Sequence, residues 1–172
     1  MSMRLTKLKL RFYGDNVLRK RAKSVSEVTE RERSVIAEMS EIMRLAGGIG
    51  LAAPQVGVNK QIILIDVGEG PCVFINPKII RRSGCETKEE GCLSLPGVFV
   101  RVKRSKKITV SALDEQNEKI LLVLDHLMAR AVQHEMDHLK GKLLIDYASF
   151  FKKIKLRRQL KEFLKEKEGF LG

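Results

Sequence analysis

Asp125-His126-Leu127-Met128-Ala129-Arg130-Ala131-Val132-Gln133-His134-Glu135-Met136-Asp137-His138-Leu139-Lys140 is the stretch on which the reading of this chain turns. Asp125 is a suitable N-cap and Gly141 a suitable stop, so the spacing predicts a helix from Asp125 to about Lys140. Ala129, Ala131 and Val132 are small or apolar, as a helix buried on most sides requires. Residues four apart share a helix face, so His134 and His138 can reach one cation, and neutral imidazole suits zinc or ferrous iron. Glu135, beside His134 and three residues before His138, borders the same face, where it can take a proton from a metal-bound water.

Two histidines leave the centre incomplete, since a catalytic metal usually takes three protein ligands and keeps one position open. The chain has three histidines, and none follows His138. Glu162 lies at a workable distance downstream, but in a run of alternating Lys and Glu that reads as a solvated helix face. Cysteine remains. Cys92 stands in Glu89-Glu90-Gly91-Cys92-Leu93-Ser94-Leu95-Pro96-Gly97, where glycines let the backbone pass close to a bound group. Cys72, beside Pro71, and Cys85, beside Gly84, read as packing or surface thiols. Three clustered cysteines with no C-x-x-C pair argue against both a disulfide framework and a zinc ribbon.

Outward from the helix, the chain falls into an ordered set of elements. Residues 1–30, with Lys7, Lys9, Arg11, Arg19, Lys20, Arg21 and Lys23, form a charged lead-in of irregular pattern. Thr29 followed by Glu32 is a capping-box signature, and Val35, Ile36, Met39, Ile42, Met43 and Ala46 recur at helical spacing until Gly47-Gly48. Gln61 to Val67 is a buried strand candidate. Val73 to Ile75 and Lys78 to Ile80 read as two strands broken by Asn76-Pro77. Phe99 to Val102, Lys107 to Leu113 and Ile120 to Leu124 follow, the last two joined as a hairpin around Asp114 to Asn117. A final helix from Ser149 to Lys167 places Ile154, Leu156, Leu160, Phe163 and Leu164 on one half of its wheel. These elements predict an α+β fold: antiparallel or mixed sheets packed around a central helix carrying H-E-x-x-H, with a C-terminal helix. Residues 1–172 read as one domain, with 149–172 its basic C-terminal helix.

Composition bounds the function. A hydrophobic fraction of 44% beside 31% charged residues is that of a folded chain, and no apolar run approaches the length needed to span a bilayer. The start, Met1 to Leu10, lacks the apolar core of a secretory signal, so a cytoplasmic location is expected and no membrane contact. A net charge of +12 attracts polyanions, but at 5% aromatic residues stacking platforms for single-stranded nucleic acid are scarce.

Three segments, in order, carry a resemblance. Gly48-Ile49-Gly50-Leu51-Ala52-Ala53-Pro54-Gln55, then Glu90-Gly91-Cys92-Leu93-Ser94, then Gln133-His134-Glu135-Met136-Asp137-His138 resemble the signatures of the peptide deformylases, and Val73-Phe74-Ile75-Asn76-Pro77 extends the likeness between them. The resemblance implies an enzyme that removes the formyl group from the N-terminal formyl-methionine of new polypeptides and releases formate. It implies that Cys92, His134 and His138 hold one divalent ion, Fe2+ in the cell with Zn2+, Ni2+ or Co2+ as alternatives. It further implies that metal-bound water is the nucleophile, that Glu135 is general base and then acid, and that the Gln55 amide and the Leu93 N–H stabilise the oxyanion. Backbone contacts to an extended peptide would come from Ile49, Gly50 and Gly91. A methionine pocket would be lined by Ile49, Glu90, Leu127, Arg130 and Ala131. His126, where the family often has Gly, Asn16, where it usually has Pro, and Lys88, often apolar there, depart from the pattern.

The tail from Lys152 lies largely outside the resemblance. It holds eight Lys or Arg and three Glu, and a helix of that charge is expected to contact the RNA-rich surface where nascent chains emerge, through phosphate contacts.

Overall fold

The computed structural model describes residues 8–169, with side-chain surroundings through residue 165; Met1 to Lys7 of the basic lead-in and the side chains of Glu166, Lys167 and Glu168 lie outside the described residues. Among the described residues, seven strands and three α-helices run in the order α1 (Glu30–Leu45), β1 (Gly50–Ala52), β2 (Ile62–Ile65), β3 (Cys72–Ser83), β4 (Glu86–Cys92), β5 (Leu95–Arg104), β6 (Lys107–Leu113), β7 (Lys119–Asp125), α2 (His126–Leu139) and α3 (Phe150–Gly169). A five-stranded antiparallel sheet has the order β1-β2-β3-β6-β7, and β4 with β5 forms a separate two-stranded sheet. The α+β expectation therefore holds, with α2 in the middle.

Three apolar clusters explain why α2 is central. Ala129, Ala131, Val132, Met136 and Leu139 of α2 pack against Ile63, Ile65, Phe74, Ile108, Val110 and Ala112 of the large sheet. Ile36, Met39 and Met43 of α1 cover the sheet's other face through Leu51, Ile62, Leu64 and Ile75. β2 is thus buried on both faces, which is why Ile62–Ile65 is an unbroken apolar run. The third cluster joins Val98, Val100 and Val102 of β5 to Leu144 and Ile145 of a 3-10 turn (Leu144–Tyr147) and to Leu156 and Leu160 of α3.

Several expectations change on contact with the tertiary structure. The Asn76-Pro77 break is a bulge within the single strand β3, the register shifting between Ile75 and Lys78. Asn76 sits at φ 51° and its amide acts as a substitute peptide group, accepting from Val25 N–H at 2.9 Å and donating to Val25 C=O at 2.7 Å. β5 begins at Leu95, before Pro96-Gly97, and Glu86–Cys92 forms β4, a strand with no pattern in the sequence to predict it. The lead-in is less irregular than its charge suggests: Leu18, Ala22, Val25 and Val28 are buried, and Ala22 N–H donates to Leu139 C=O at the end of α2. That crossing needs a glycine, because Gly141 has φ 71° and an added Cβ would strike the Arg19 carbonyl.

In α1 the Glu32 carboxylate reaches back to the Thr29 N–H (3.1 Å) and hydroxyl and also meets Lys60. Burial alone would raise the Glu32 carboxyl; the Lys60 ammonium and the Thr29 donors outweigh it and hold it at about 2. Asp125 occupies the N-cap of α2 without a side-chain capping bond, contrary to its expected role. The exposed His126 that follows has φ 47°, the left-handed conformation in which Gly is the usual residue. In α3, Leu156 and Leu160 are buried and Phe163 and Leu164 half-buried, but Ile154 is exposed, so the docked stripe is narrower than expected.

Candidate metal centre and active site

The cluster sits where α2 passes beneath β1 and the end of β4. Cys92 closes β4, His134 and His138 project from α2, and one ligand atom from each lies within 4.8 Å of the others; no other group of three or more potential ligands occurs among the described residues. Cys92 Sγ is 3.2 Å from His138 Nε2. Glu162 takes no part: it is exposed on α3 and pairs with Arg158 at 3.2 Å. Cys72 is half-buried beside the sheet and Cys85 is exposed, as expected.

The donor set fits a cation. Glu90 Oε2 lies 3.0 Å from His134 Nδ1, which turns the ring and leaves Nε2 for the cluster. Burial opposes charge on His134, yet the Cys92 thiol and the Glu90 carboxylate raise it well above its ordinary 6.5, so the surroundings favour positive charge at that spot. Burial, with repulsion from His134 and Arg104, drives His138 well below 6.5 and keeps it a neutral donor. One thiol and two imidazoles are a donor set for zinc or ferrous iron.

Behind the cluster is a buried charge network that the sequence did not announce. The Arg104 guanidinium donates to Glu90 Oε1 (3.0 Å) and Oε2 (2.9 Å) and, from its third nitrogen, to Asp137 (2.6 Å). Tyr147 OH donates to the same Asp137 oxygen at 2.6 Å. Arg130 adds a 2.6 Å bond to Glu90 Oε1 and bonds to the Val102 and Glu86 carbonyls. Burial would raise the Glu90 carboxyl, but His134 and Arg104 hold it at about 2. Glu90 and Arg130, expected as lining of the methionine pocket, do border the cavity, but their charged ends are committed to each other and to His134. Asp137 lies inside the third signature, whereas Arg104 and Tyr147 had no signal beyond being polar residues near apolar runs.

In front of the cluster is a cavity of about 490 Å³, lined by Gly48, Ile49, Gly50, Gln55, Glu90, Gly91, Cys92, Leu93, Leu127, Arg130, Ala131, His134 and Glu135, together with Val98 and Phe99. All the expected site residues except His138, which is fully buried, therefore line this one cavity. Glu135 is 4% exposed, and burial lifts its carboxyl to about 7, against the opposing pull of His134 and Arg104. Its Oε2 has no hydrogen-bond partner among the described residues. Gly50 is what allows the approach, since an added Cβ would lie 2.5 Å from Glu135 Oε1. Gln55 is locked by its own carbonyl oxygen, which accepts from Ala52 N–H at 2.8 Å. Its NH2 thereby faces the cluster, donating to Ser94 Oγ (3.2 Å) and pointing at Cys92 Sγ (3.6 Å).

An H-E-x-x-H helix supplying two histidines, a strand supplying a cysteine, and a buried carboxylate beside them define a hydrolase-type centre in an α+β fold. The profile described as polypeptide deformylase matches residues 7–154. The chain is 47% identical to the peptide deformylase of Clostridium botulinum over 80% of its own length and 93% of the relative's. It is 43% identical to that of Thermotoga neapolitana over 94% and 99%. The crystal structure of a peptide deformylase from Legionella pneumophila superposes with a TM-score of 0.89 at 38% identity, covering 94% of this chain and 97% of that one. This chain belongs to the polypeptide deformylase family and is a hydrolase of that family.

Proposed function

We propose that the chain removes the N-formyl group from the formyl-methionine at the start of newly made polypeptides, releasing formate. The observation that carries the reading is the meeting of Cys92, His134 and the buried His138, with Cys92, His134 and the buried carboxylate of Glu135 bordering an open cavity. Cys92, His134 and His138 would hold one divalent ion, Fe2+ in the cell, with Zn2+, Ni2+ or Co2+ also suited to the donors. When bound, that ion supplies Lewis acidity, which brings the pKa of water towards about 7.

The chain's own groups do the rest. Glu135, lifted into the neutral range by burial, can accept a proton from water and return it to the departing amine. The Gln55 NH2, fixed by Ala52, exchanges its long contact to Cys92 for the developing oxyanion, with the Leu93 N–H as second donor. Among the described residues, β1 is the outermost strand on its side of the large sheet and β4 pairs only with β5. An extended peptide can therefore lie along Ile49-Gly50 and Gly91 as an added strand. Ile49 C=O already accepts from Asp66 N–H at 2.9 Å and has a second lone pair to offer. Leu127, 51% exposed at the cavity mouth, and Ala131 one turn further in provide the apolar wall for methionine.

We take residues 1–172 as one catalytic domain acting in the cytoplasm; among the described residues no helix is long and apolar enough to cross a membrane. The exposed Lys152, Lys155, Arg157, Arg158 and Lys161 of α3 are proposed to contact RNA phosphates at the ribosome. Formate release from a formyl-Met peptide tests the activity: internal cleavage of the peptide, or no reaction by the metal-loaded chain, would reject it. Co-sedimentation with ribosomes, comparing the chain with a truncation after Tyr147 that still acts on free peptide, tests the contact. Equal sedimentation at low salt would reject α3 as the tether.

A further inference from the structure

The far rim of the large sheet is a strand built unlike a normal edge. β7 pairs with β6 on one side, and no described strand pairs with the other. Exposed edges are usually blunted by a bulge, a proline or charges in mid-strand. Here the pairing runs unbroken from Lys107↔Asp125 to Leu113↔Lys119, and the five central residues, Ile120 to Leu124, are all apolar. Leu121 (67% exposed) and Val123 (62%) stand on the outer face. Leu122 lies on the inner face, level with the buried Val110, yet remains 36% exposed, with no described strand beside it.

The sequence of the strand is complementary to its own reverse. Set antiparallel to a second β7 about Leu122, Lys119 falls opposite Asp125 at both ends, Ile120 opposite Leu124, Leu121 opposite Val123, and Leu122 opposite itself. Opposed residues share a face, so the outward pair Leu121 and Val123 meets its like, as does the inward set Ile120, Leu122 and Leu124. A slip of one residue would turn the inner face of one copy to the outside of the other. A slip of two sets Asp125 against Leu121, or Lys119 against Val123. Lys119 and Asp125 are both exposed and free to make the end pairs.

We propose that β7 is a homodimer edge: two copies of this chain pair antiparallel through Lys119–Asp125 about Leu122, joining their sheets into one of ten strands. The partner is a second copy because the charged ends and the apolar centre match in that one register. A seven-residue edge is small beside a standard interface, so the association is weak. Leu121 and Val123 take no part in the active-site cavity, so the inference is independent of the proposed activity.

Sedimentation velocity on the full chain, from about 1 µM to about 500 µM at ~0.15 M salt, reads the equilibrium, the salt screening the mutual repulsion of two basic molecules. The expected result is a monomer at the low end and a dimer at the high end. The double substitution Leu121→Lys with Val123→Lys places like charges directly opposite each other and should weaken the dimer at least tenfold, with the circular-dichroism spectrum and thermal midpoint retained because both side chains face solvent. In a Cys85→Ser background, Leu122→Cys should cross-link under mild oxidation faster than Leu121→Cys, whose counterpart is Val123. A chain monomeric throughout, including one whose strand recruits some other protein instead, overturns the proposal. So does a dimer indifferent to the lysine pair, or faster cross-linking at position 121.

Discussion

Helices α2 and α3 are built by opposite rules. From Ala129 onward α2 is largely buried; Arg130, His134, Glu135, Asp137 and His138 are drawn into the cluster or the network behind it, and Gln133 bonds to the Ser105 backbone and to Arg82. α3 buries two leucines along its described length and leaves its cations in water. A buried polar side chain is costly unless partnered, so those of α2 are held in defined positions by their bonds, Glu135 Oε2 and His138 Nδ1 being its two buried side-chain atoms left without a partner among the described residues. On α3 a charge costs nothing to expose and carries no such information. Substitutions should therefore have effects graded by depth, severe around α2 and slight at the surface.

The largest effect is expected at Cys92. Cys92→Ala should lose bound metal, read by atomic emission, and all detectable formate release, while Cys72→Ala and Cys85→Ala keep both. Retention of one equivalent of metal by Cys92→Ala would remove the thiolate from the ligand set. Glu135→Ala should come next, keeping its metal and fold but losing turnover by about 10²–10⁴-fold, the span of general acid–base catalysis. Loss of metal with the fold intact would make Glu135 a ligand instead.

Arg104→Ala sharpens the comparison by acting on stability and on the site together. It leaves Glu90 and Asp137 buried without their main cation, a defect that typically costs about 3–5 kcal/mol, and urea denaturation should show it. Arg130→Ala should cost less, because Arg104 still holds both Glu90 oxygens. Equal, small losses for both would mean that the network does not hold His134 in place.

The smallest effect lies in α1 and depends on pH. The Glu32 carboxyl, about 2 in the folded chain, lies below its ordinary value of 4.5, so its contribution is complete above pH 4.5 and vanishes as pH falls towards 2. A shift of that size sets an upper bound of roughly 3 kcal/mol, and solvent screening at the part-exposed Lys60 brings the effect well below it. Glu32→Gln should then be less stable than the parent at neutral pH, the gap closing on acidification through that window. A gap that is independent of pH would refute the ion pair with Lys60 as its source.

The depth rule also explains what could be read in advance. The i, i+4 histidines of α2, the capping box of α1 and the apolar run of β2 are local patterns whose physics acts over a few residues. β4 reads Glu-Thr-Lys-Glu-Glu-Gly-Cys and has no strand periodicity; pairing with β5 alone makes it one. The Asn76-Pro77 pair has the local form of a break, but the Val25 backbone, remote in sequence, supplies the partner that turns it into a bulge. Arg104 could not be assigned because nothing in its neighbourhood says that its guanidinium reaches both Glu90 and Asp137.

What the sequence determined by itself was the chemistry available: two imidazoles on one helix face, a carboxylate beside them, and a thiol in a glycine-rich turn. Their meeting depended on tertiary structure. β4 had to pair with β5 to bring Cys92 to α2, Gly50 had to let β1 close over Glu135, and Arg104 had to fix Glu90 against His134. The reason is physical. Spacing along a helix fixes angles between neighbours a turn apart, whereas distances between residues forty apart, and the burial that lifts one carboxyl to about 7 and holds another at about 2, exist only once the elements pack.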